Sequence, residues 1–389
     1  MKVLFFLINM NLGGTEKSFL NLLSELPDCY SVDLLLLENS GELLQEIPDH
    51  VNVKILENNK EINEFLILGN RGFAFKELKR GLIFSFLKNI LVWVGLKFNL
   101  IKHPFYGISG YINGVDKVYN HAVAFAGVHN FIAYYTLQHI KAKKKYLWIH
   151  FDVNNVIPTP NFGDKFYPTF DRIMCVSENA KAAFVEMFPK LKLRTKVFEN
   201  IVSSNLLMEK ANESISFTDE FVGCRIVTLG RLSKEKGQLM IPTVVSRLKN
   251  DGFDFKWYII GDGKLKQSIE EKINEFNIEN ELIMLGAQLN PYPFLKDTDL
   301  YVQTSLHEGY CITLHEAKVF KKPVVTTNFL SAPNLIADGE DGLIVDISEE
   351  GIYEGVKRLL RDEDLINKFS RSILIKETSK EKVVDLFEL

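Results

Sequence analysis

Cysteine is scarce in this chain and carries no pattern. The four residues, Cys29, Cys175, Cys224 and Cys311, are scattered and form no CxxC, which argues against zinc-site spacing and a disulfide framework. Three of them lie in or beside apolar runs and read as small core residues in a reducing compartment. Charge of one sign is missing too: a net charge of -4 offers no global basic field for nucleic acid. The best candidate for a membrane span, inside residues 76–103, is broken by Lys88 and Asn89, so no span is expected. The N-terminal MKVLFFLI has a single lysine before a short apolar run, and Asn9 and Asn11 interrupt it before any small-residue cleavage site. It is expected to be a first strand, not a signal peptide. GxGxxG is absent, so a dinucleotide fingerprint is not supported.

What is present is an alternation of apolar runs and amphipathic segments over 389 residues, 46% of them hydrophobic. That suits two domains, each with its own core. Short apolar runs at 3–8, 32–37, 51–56, 122–126, 146–149 and 173–176 predict strands, with a helix ended by Pro27 after the first and another around 131–140. Lys141, Lys143, Lys144 and Lys145 read as a solvated helix end. Residues 202–223 are the most polar stretch and mark a boundary. The pattern then restarts, with strands near 225–229, 255–260, 282–285, 300–303, 324–326 and 343–345. Strands separated by helices predict doubly wound parallel sheets. The expected division is 1–202, 203–377 and a final segment 378–389.

The densest chemistry lies in LYVQTSLHEGYCITLHEAKVFKKPVVTT, 300–327, which reads strand, loop, helix, strand. Glu308 sits in the loop and Glu316, eight positions on, lies on the helix. The amides of Gly309, Tyr310, Cys311, Ile312 and Thr313 face the crevice beyond the strand ends, where such sheets bind ligands. Free N–H donors suit an anionic or hydroxyl-rich ligand, and carboxylates accept from sugar hydroxyls. The plainer reading is a helix-start charge and a solvated helix face. Upstream, LGRLSKEKG places Arg231 and Lys236 in a loop bounded by Gly230 and Gly237. A guanidinium fork with an ammonium neutralises a diphosphate, unless Glu235 merely pairs with them locally. Gly261–Asp262–Gly263 makes a tight strand-to-helix turn, and Gly286 ends a strand. Near the start, Gly13 and Gly14 precede a helix carrying Glu16. His150, followed by Asp152, stands at the C-terminal end of a strand, which is the ligand side of a parallel sheet. Asp297–Thr298–Asp299 precedes a strand, where a metal–diphosphate site would need it after one, so no metal is expected.

SLHEGYCITLHEAKVFKKPVV resembles the E-x7-E signature of the retaining group 1, or family 4, glycosyltransferases of the GT-B fold. The Gly-Gly loop with Glu16, His150, Arg231 and Lys236, GDG, Glu308 and Glu316 follow in the family's order over nearly the whole chain. Departures are GYCIT where GFGL is commoner, and KVFKKPVV for a small-residue run, which put sugar identity in doubt. The resemblance implies two Rossmann-like domains facing a central cleft and a sugar moved from a UDP- or GDP-sugar to a hydroxyl with retained configuration. Arg231 and Lys236 would hold the diphosphate, Glu316 the ribose, Glu308 the transferred sugar, and His150 would orient that sugar. Donor contacts would further involve Gly13, Gly14, Gly261, Gly286, Gly309, Tyr310, Cys311 and Ile312, with no cofactor and no metal. The acceptor would be a lipid-linked or surface glycan. The basic, aromatic segment 76–103 then reads in two ways, as helices packed on the first sheet with lysines in water, or as a surface for an anionic membrane. The expected location is the cytoplasm, peripheral on the inner face of the plasma membrane under the second of these. A GT-B phosphorylase, a sugar-nucleotide hydrolase and a non-enzymatic sugar-binding protein are the alternatives.

Overall fold

The computed structural model describes residues 1–150, 153, 160–213, 216–375, 383 and 387. Asp152 and the 378–389 segment lie outside the described residues, save Val383 and Phe387, both buried. The chain divides into two compact units. One comprises Met1–Asn11 and Pro27–Glu199, and the other Leu12–Leu26 and Asn200–Glu388.

The first unit is built on seven parallel strands: β1 (Lys2–Leu7), β2 (Ser31–Leu36), β3 (Asn52–Ile55), β4 (Val115–Ala124), β5 (Ile140–Ile149), β6 (Arg172–Cys175) and β7 (Thr195–Val197), in the order β3-β2-β1-β4-β5-β6-β7. MKVLFFLI is therefore the central β1, with Val3, Leu4, Phe5, Phe6 and Leu7 all buried. Continuous apolar runs of this kind are what a strand covered on both faces requires.

The lysine run 141–145 is not a helix end. It forms the first half of β5, paired with β4 from Ile140, whereas pairing with β6 begins only at Tyr146. With one neighbour instead of two, that half of the strand has no need of an apolar sequence: Lys141, Lys143 and Lys144 are exposed, and Lys145 donates to the Leu137 carbonyl at 2.6 Å.

The second unit repeats the plan with six parallel strands: β8 (Cys224–Leu229), β9 (Phe255–Ile260), β10 (Leu282–Gly286), β11 (Leu300–Gln303), β12 (Val324–Thr327) and β13 (Gly342–Val345), ordered β10-β9-β8-β11-β12-β13. Its core gathers Ile226, Val244, Trp257, Ile259, Leu300, Val302, Val325 and Val356. Chain direction through the sheet reverses between β8 and β11, so the loops leaving those two strands border the switch-point crevice. The helix α1 (Gly14–Glu25) clusters with this unit through its contacts. The pattern of both sheets is doubly wound.

Candidate active site

The loop after β8 is set by backbone stacking. Gly261 adopts φ +149, and a Cβ built there would stand 2.0 Å from the Gly230 carbonyl oxygen. Gly263 meets the Leu232 carbonyl in the same way, at 2.4 Å. The amide of Leu232 donates to the Asp262 carbonyl at 2.9 Å, and that of Gly261 to the Gly286 carbonyl at 2.8 Å. The GDG turn thus carries the Arg231 loop on its back, which only glycine permits. The helix that follows this loop begins at Ile241, preceded by two short 3-10 turns, Lys234–Lys236 and Gln238–Met240.

That loop is stitched in turn to the loop after β11. The Leu306 amide donates to the Glu235 carbonyl at 2.8 Å, and Thr304 Oγ1 to the Lys236 carbonyl at 2.8 Å. The result is an ion pair from Lys236 Nζ to Glu308 Oε1 at 2.6 Å, with both side chains largely buried. Burial pulls the Lys236 ammonium down, but the Glu308 carboxylate outweighs it and holds the pKa above the usual lysine value. The same Glu308 oxygen accepts from Ser305 Oγ at 2.6 Å and from Gln303 Nε2 at 3.3 Å. Gln303 Oε1 accepts from Tyr301 at 2.6 Å and from Thr313 at 3.1 Å. Glu308 therefore sits at the end of a buried hydrogen-bonded chain running back into β11.

Gly309 and Tyr310 lead on to Cys311, which takes the left-handed conformation (φ 52) just before the helix Ile312–Val319. This is the GYCIT position at which the resembled pattern more often has glycine, the residue suited to positive φ. Burial pushes the Cys311 thiol well up, so no thiolate nucleophile stands beside Glu308. Tyr310 stacks on His315 with centroids 4.4 Å apart and donates its hydroxyl to the Asn200 carbonyl at 3.0 Å.

Glu316 is fully buried, which rules out the solvated helix face. Its Oε1 accepts from the Tyr292 hydroxyl at 3.0 Å, and Lys17 Nζ stands 4.0 Å from the same oxygen and 5.3 Å from the centre of the Tyr292 ring. Lys17 comes from α1, the helix after Gly13–Gly14. Gly14 lies 3.9 Å from the Ile312 side chain, measured from an ideal Cβ, and a Cβ on Gly13 would strike the Glu16 carboxylate. Burial pushes the Glu16 carboxyl up, opposed by its own backbone and by Arg231. Arg231 itself is exposed.

The structure thus gathers Gly13, Gly14, Arg231, Lys236, Gly261, Gly286, Glu308, Gly309, Tyr310, Cys311, Ile312 and Glu316 within the second unit. His150 belongs to the first unit, at the end of β5, buried against Phe125 (centroids 4.3 Å) and stacked on Trp148. Asp297 accepts from Ser216, and Asp299 from the Arg225 amide at 2.8 Å, so both carboxylates serve the turn into β11. Among the described residues no group of three or more His, Cys, Asp or Glu side chains is placed to hold a metal ion. Sequence reasoning missed Lys17, Tyr292, Gln303 and Ser305. The only signal for the last two was a polar Gln-Thr-Ser ending to an otherwise apolar strand.

Two doubly wound parallel sheets of this kind make the GT-B fold. Residues 224–373, within the second unit, match the family of glycosyl transferases group 1. The chain is 28% identical over 262 residues to an uncharacterized glycosyltransferase of Methanocaldococcus jannaschii, covering 58% of this chain and 64% of that protein. It is 29% identical over 219 residues to the N-acetylgalactosamine-N,N'-diacetylbacillosaminyl-diphospho-undecaprenol 4-alpha-N-acetylgalactosaminyltransferase of Campylobacter jejuni, covering 56% of this chain and 58% of that protein. The matches thus span less than two thirds of the length of these curated relatives. Among solved structures, Anabaena HepE in complex with UDP and glucose aligns over 100% of this chain and 98% of its own, with a TM-score of 0.70 and 15% identity.

Proposed function

We propose that the protein is a retaining glycosyltransferase that moves a sugar from a nucleoside-diphosphate donor to a hydroxyl of a lipid-linked or surface-glycan intermediate. One observation carries the reading. Lys236, in the loop it shares with exposed Arg231, pairs at 2.6 Å with Glu308 in the loop after β11, and fully buried Glu316 lies on the helix that follows Glu308. Departure of the donor's diphosphate develops the largest charge of the reaction, and Arg231 with Lys236 would meet it with a fork and a point charge. Glu308, already an acceptor of three hydrogen bonds, would accept from hydroxyls of the transferred sugar. Glu316 would accept from the donor ribose, with Tyr292 and Lys17 holding its carboxylate. His150 would orient that sugar, as the resemblance implies. Without a protein nucleophile in this arrangement, the leaving phosphate would take the acceptor proton on the face it departs from, retaining the anomeric configuration.

UDP bound to Anabaena HepE supports a uridine donor, and the Campylobacter jejuni relative, named for a diphospho-undecaprenol substrate, supports a lipid-linked acceptor. Such an acceptor would hold the chain at the inner face of a membrane as a peripheral protein. No helix among the described residues is long and apolar enough to cross one. The test is a panel of UDP- and GDP-sugars incubated with and without a polyprenyl-diphosphate sugar, following nucleoside diphosphate release and product anomeric configuration by NMR. Acceptor-dependent release lost in Arg231→Ala is expected. Turnover that needs only water or phosphate, or binding without turnover, would replace this reading with one of its alternatives, and an inverted product would remove the retaining assignment.

A further inference from the structure

The helix α2 (Asn59–Lys79) and the helix α3 (Ile83–Lys97) form an antiparallel pair in the first unit. Phe75 meets Phe86, Asn70 meets Asn89, and Arg71 lies over Trp93, pairings that run in opposite directions along the two helices. The second helix exposes much of its apolar surface. In α3 ten of fifteen residues are Ile, Phe, Leu, Val or Trp, yet its buried positions are Asn89, Val92 and Gly95. Asn89 is fully buried, donating to the Ser85 carbonyl at 3.0 Å and to the Gly107 carbonyl at 3.2 Å. Five of the ten large apolar side chains, Ile83, Phe84, Leu87, Leu91 and Trp93, face outward, Phe84 at 90% exposed and Leu91 at 69%. Phe84, Leu87 and Leu91, spaced three and four apart, line one side of the helix. Leu82 and Ile83 flank them at the turn, and Phe98 extends them at the far end, all exposed. A soluble protein scatters such residues singly, and a continuous stripe marks a surface that something apolar covers.

Charge decides what that is. Residues 59–103 hold eight Lys or Arg against three acids, Glu61, Glu64 and Glu77. Glu77 is buried, accepting from Tyr111 at 2.8 Å and paired with Arg80, and Glu64 pairs with Lys76 and Arg80. Arg71, Lys79, Lys97 and Lys102 are exposed around the stripe. A second copy meeting this face about a two-fold axis would set like charge on like charge. At ~22 Å, fifteen helical residues are too short to span a bilayer but suited to lie in its interface. We infer that the outward face of α2–α3 docks on an anionic lipid bilayer, with Phe84, Leu87, Leu91 and Phe98 entering the acyl boundary and the basic residues facing phosphate headgroups. This deepens the proposed reading by naming the surface that brings the enzyme to a lipid-linked acceptor, and the contact can be tested without any sugar.

Tryptophan offers a native reporter, since Trp93 is 37% exposed while Trp148 and Trp257 are buried. The full chain is mixed with vesicles of phosphatidylcholine, alone or containing phosphatidylglycerol, and followed by flotation and by tryptophan emission. Flotation with the anionic vesicles, weakened by salt and accompanied by a blue shift, is expected. Phe84→Ser with Leu91→Ser, and separately Lys79→Glu with Lys97→Glu and Lys102→Glu, should each lower vesicle affinity by about tenfold or more. Melting temperature and turnover of a lipid-free acceptor should stay unchanged, because these side chains already face water. The inference is overturned if the wild type stays unbound, if it binds neutral and anionic vesicles equally, or if the variants float as it does. A wild-type dimer that the serine variant turns into monomer would assign the face to a second copy instead. Loss of sugar transfer with vesicle binding intact would count against the proposed function and leave this inference standing.

Discussion

Glu308 Oε1 receives an ammonium, a hydroxyl and an amide at once, and this convergence distinguishes a placed carboxylate from a loop acid. Ser305 is the shortest neutral support, and its hydroxyl also accepts from Gln303 at 2.6 Å. A hydrogen bond to a charged group contributes roughly 1.5–3 kcal/mol. Ser305→Ala should therefore cost ~10-fold or more in kcat/KM for sugar transfer, with the melting temperature little changed. An unaltered kcat/KM would remove Ser305 from the support of Glu308. The glutamates, Arg231 and Lys236 were legible from residue type and spacing. The supporting chain was not, because Tyr301, Gln303 and Ser305 look like the ordinary end of a strand until β11 is packed between β8 and β12. Burial of Glu316 was equally hidden, since it depends on Tyr292 and Lys17, 24 and 299 positions away.

At the scale of elements, apolar runs located the strands to within a residue or two wherever both faces are covered, as for β9 and β11. They failed where that condition lapses, in the lysine-rich half of β5. The loop after β8 depends on backbone contact that composition does not report. Gly237 holds φ +67, and a Cβ there would lie 2.1 Å from the Thr304 carbonyl oxygen. Gly237→Ala should destabilise the second unit by at least ~1–3 kcal/mol, visible as a lower urea midpoint, because neither the dihedral nor the neighbouring backbone can yield cheaply. A midpoint equal to the wild type would show that the two loops are not held together as described. For the α2–α3 pair the sequence left packed helices and a membrane-facing surface both open, and the structure exposes five of the ten large apolar side chains of α3.

Across the whole molecule, the same strand order occurs twice, but the family match covers only residues 224–373. Arg231 and Lys236, the proposed diphosphate cations, lie with both glutamates in the second unit, so nucleotide binding should register there. UDP at about a hundred times its dissociation constant should add ~2.7 kcal/mol to the stability of the folded state, read by calorimetry as a raised transition temperature. Arg231→Ala and Glu316→Gln should each shrink that shift. Absence of any shift with UDP and GDP alike would remove the donor assignment while leaving the fold untouched.

The amino-acid sequence by itself determined the two-sheet plan, the strand ends from which the site residues project, and the charged residue types there. These follow from local periodicity and from side chains whose chemistry does not depend on their neighbours. Only the tertiary structure decided which of those groups meet, that Glu316 is buried against Tyr292 and Lys17, and that α3 turns half of its large apolar side chains out with its asparagine in. Burial and pairing are properties of distant segments brought together, and no window of sequence contains both partners.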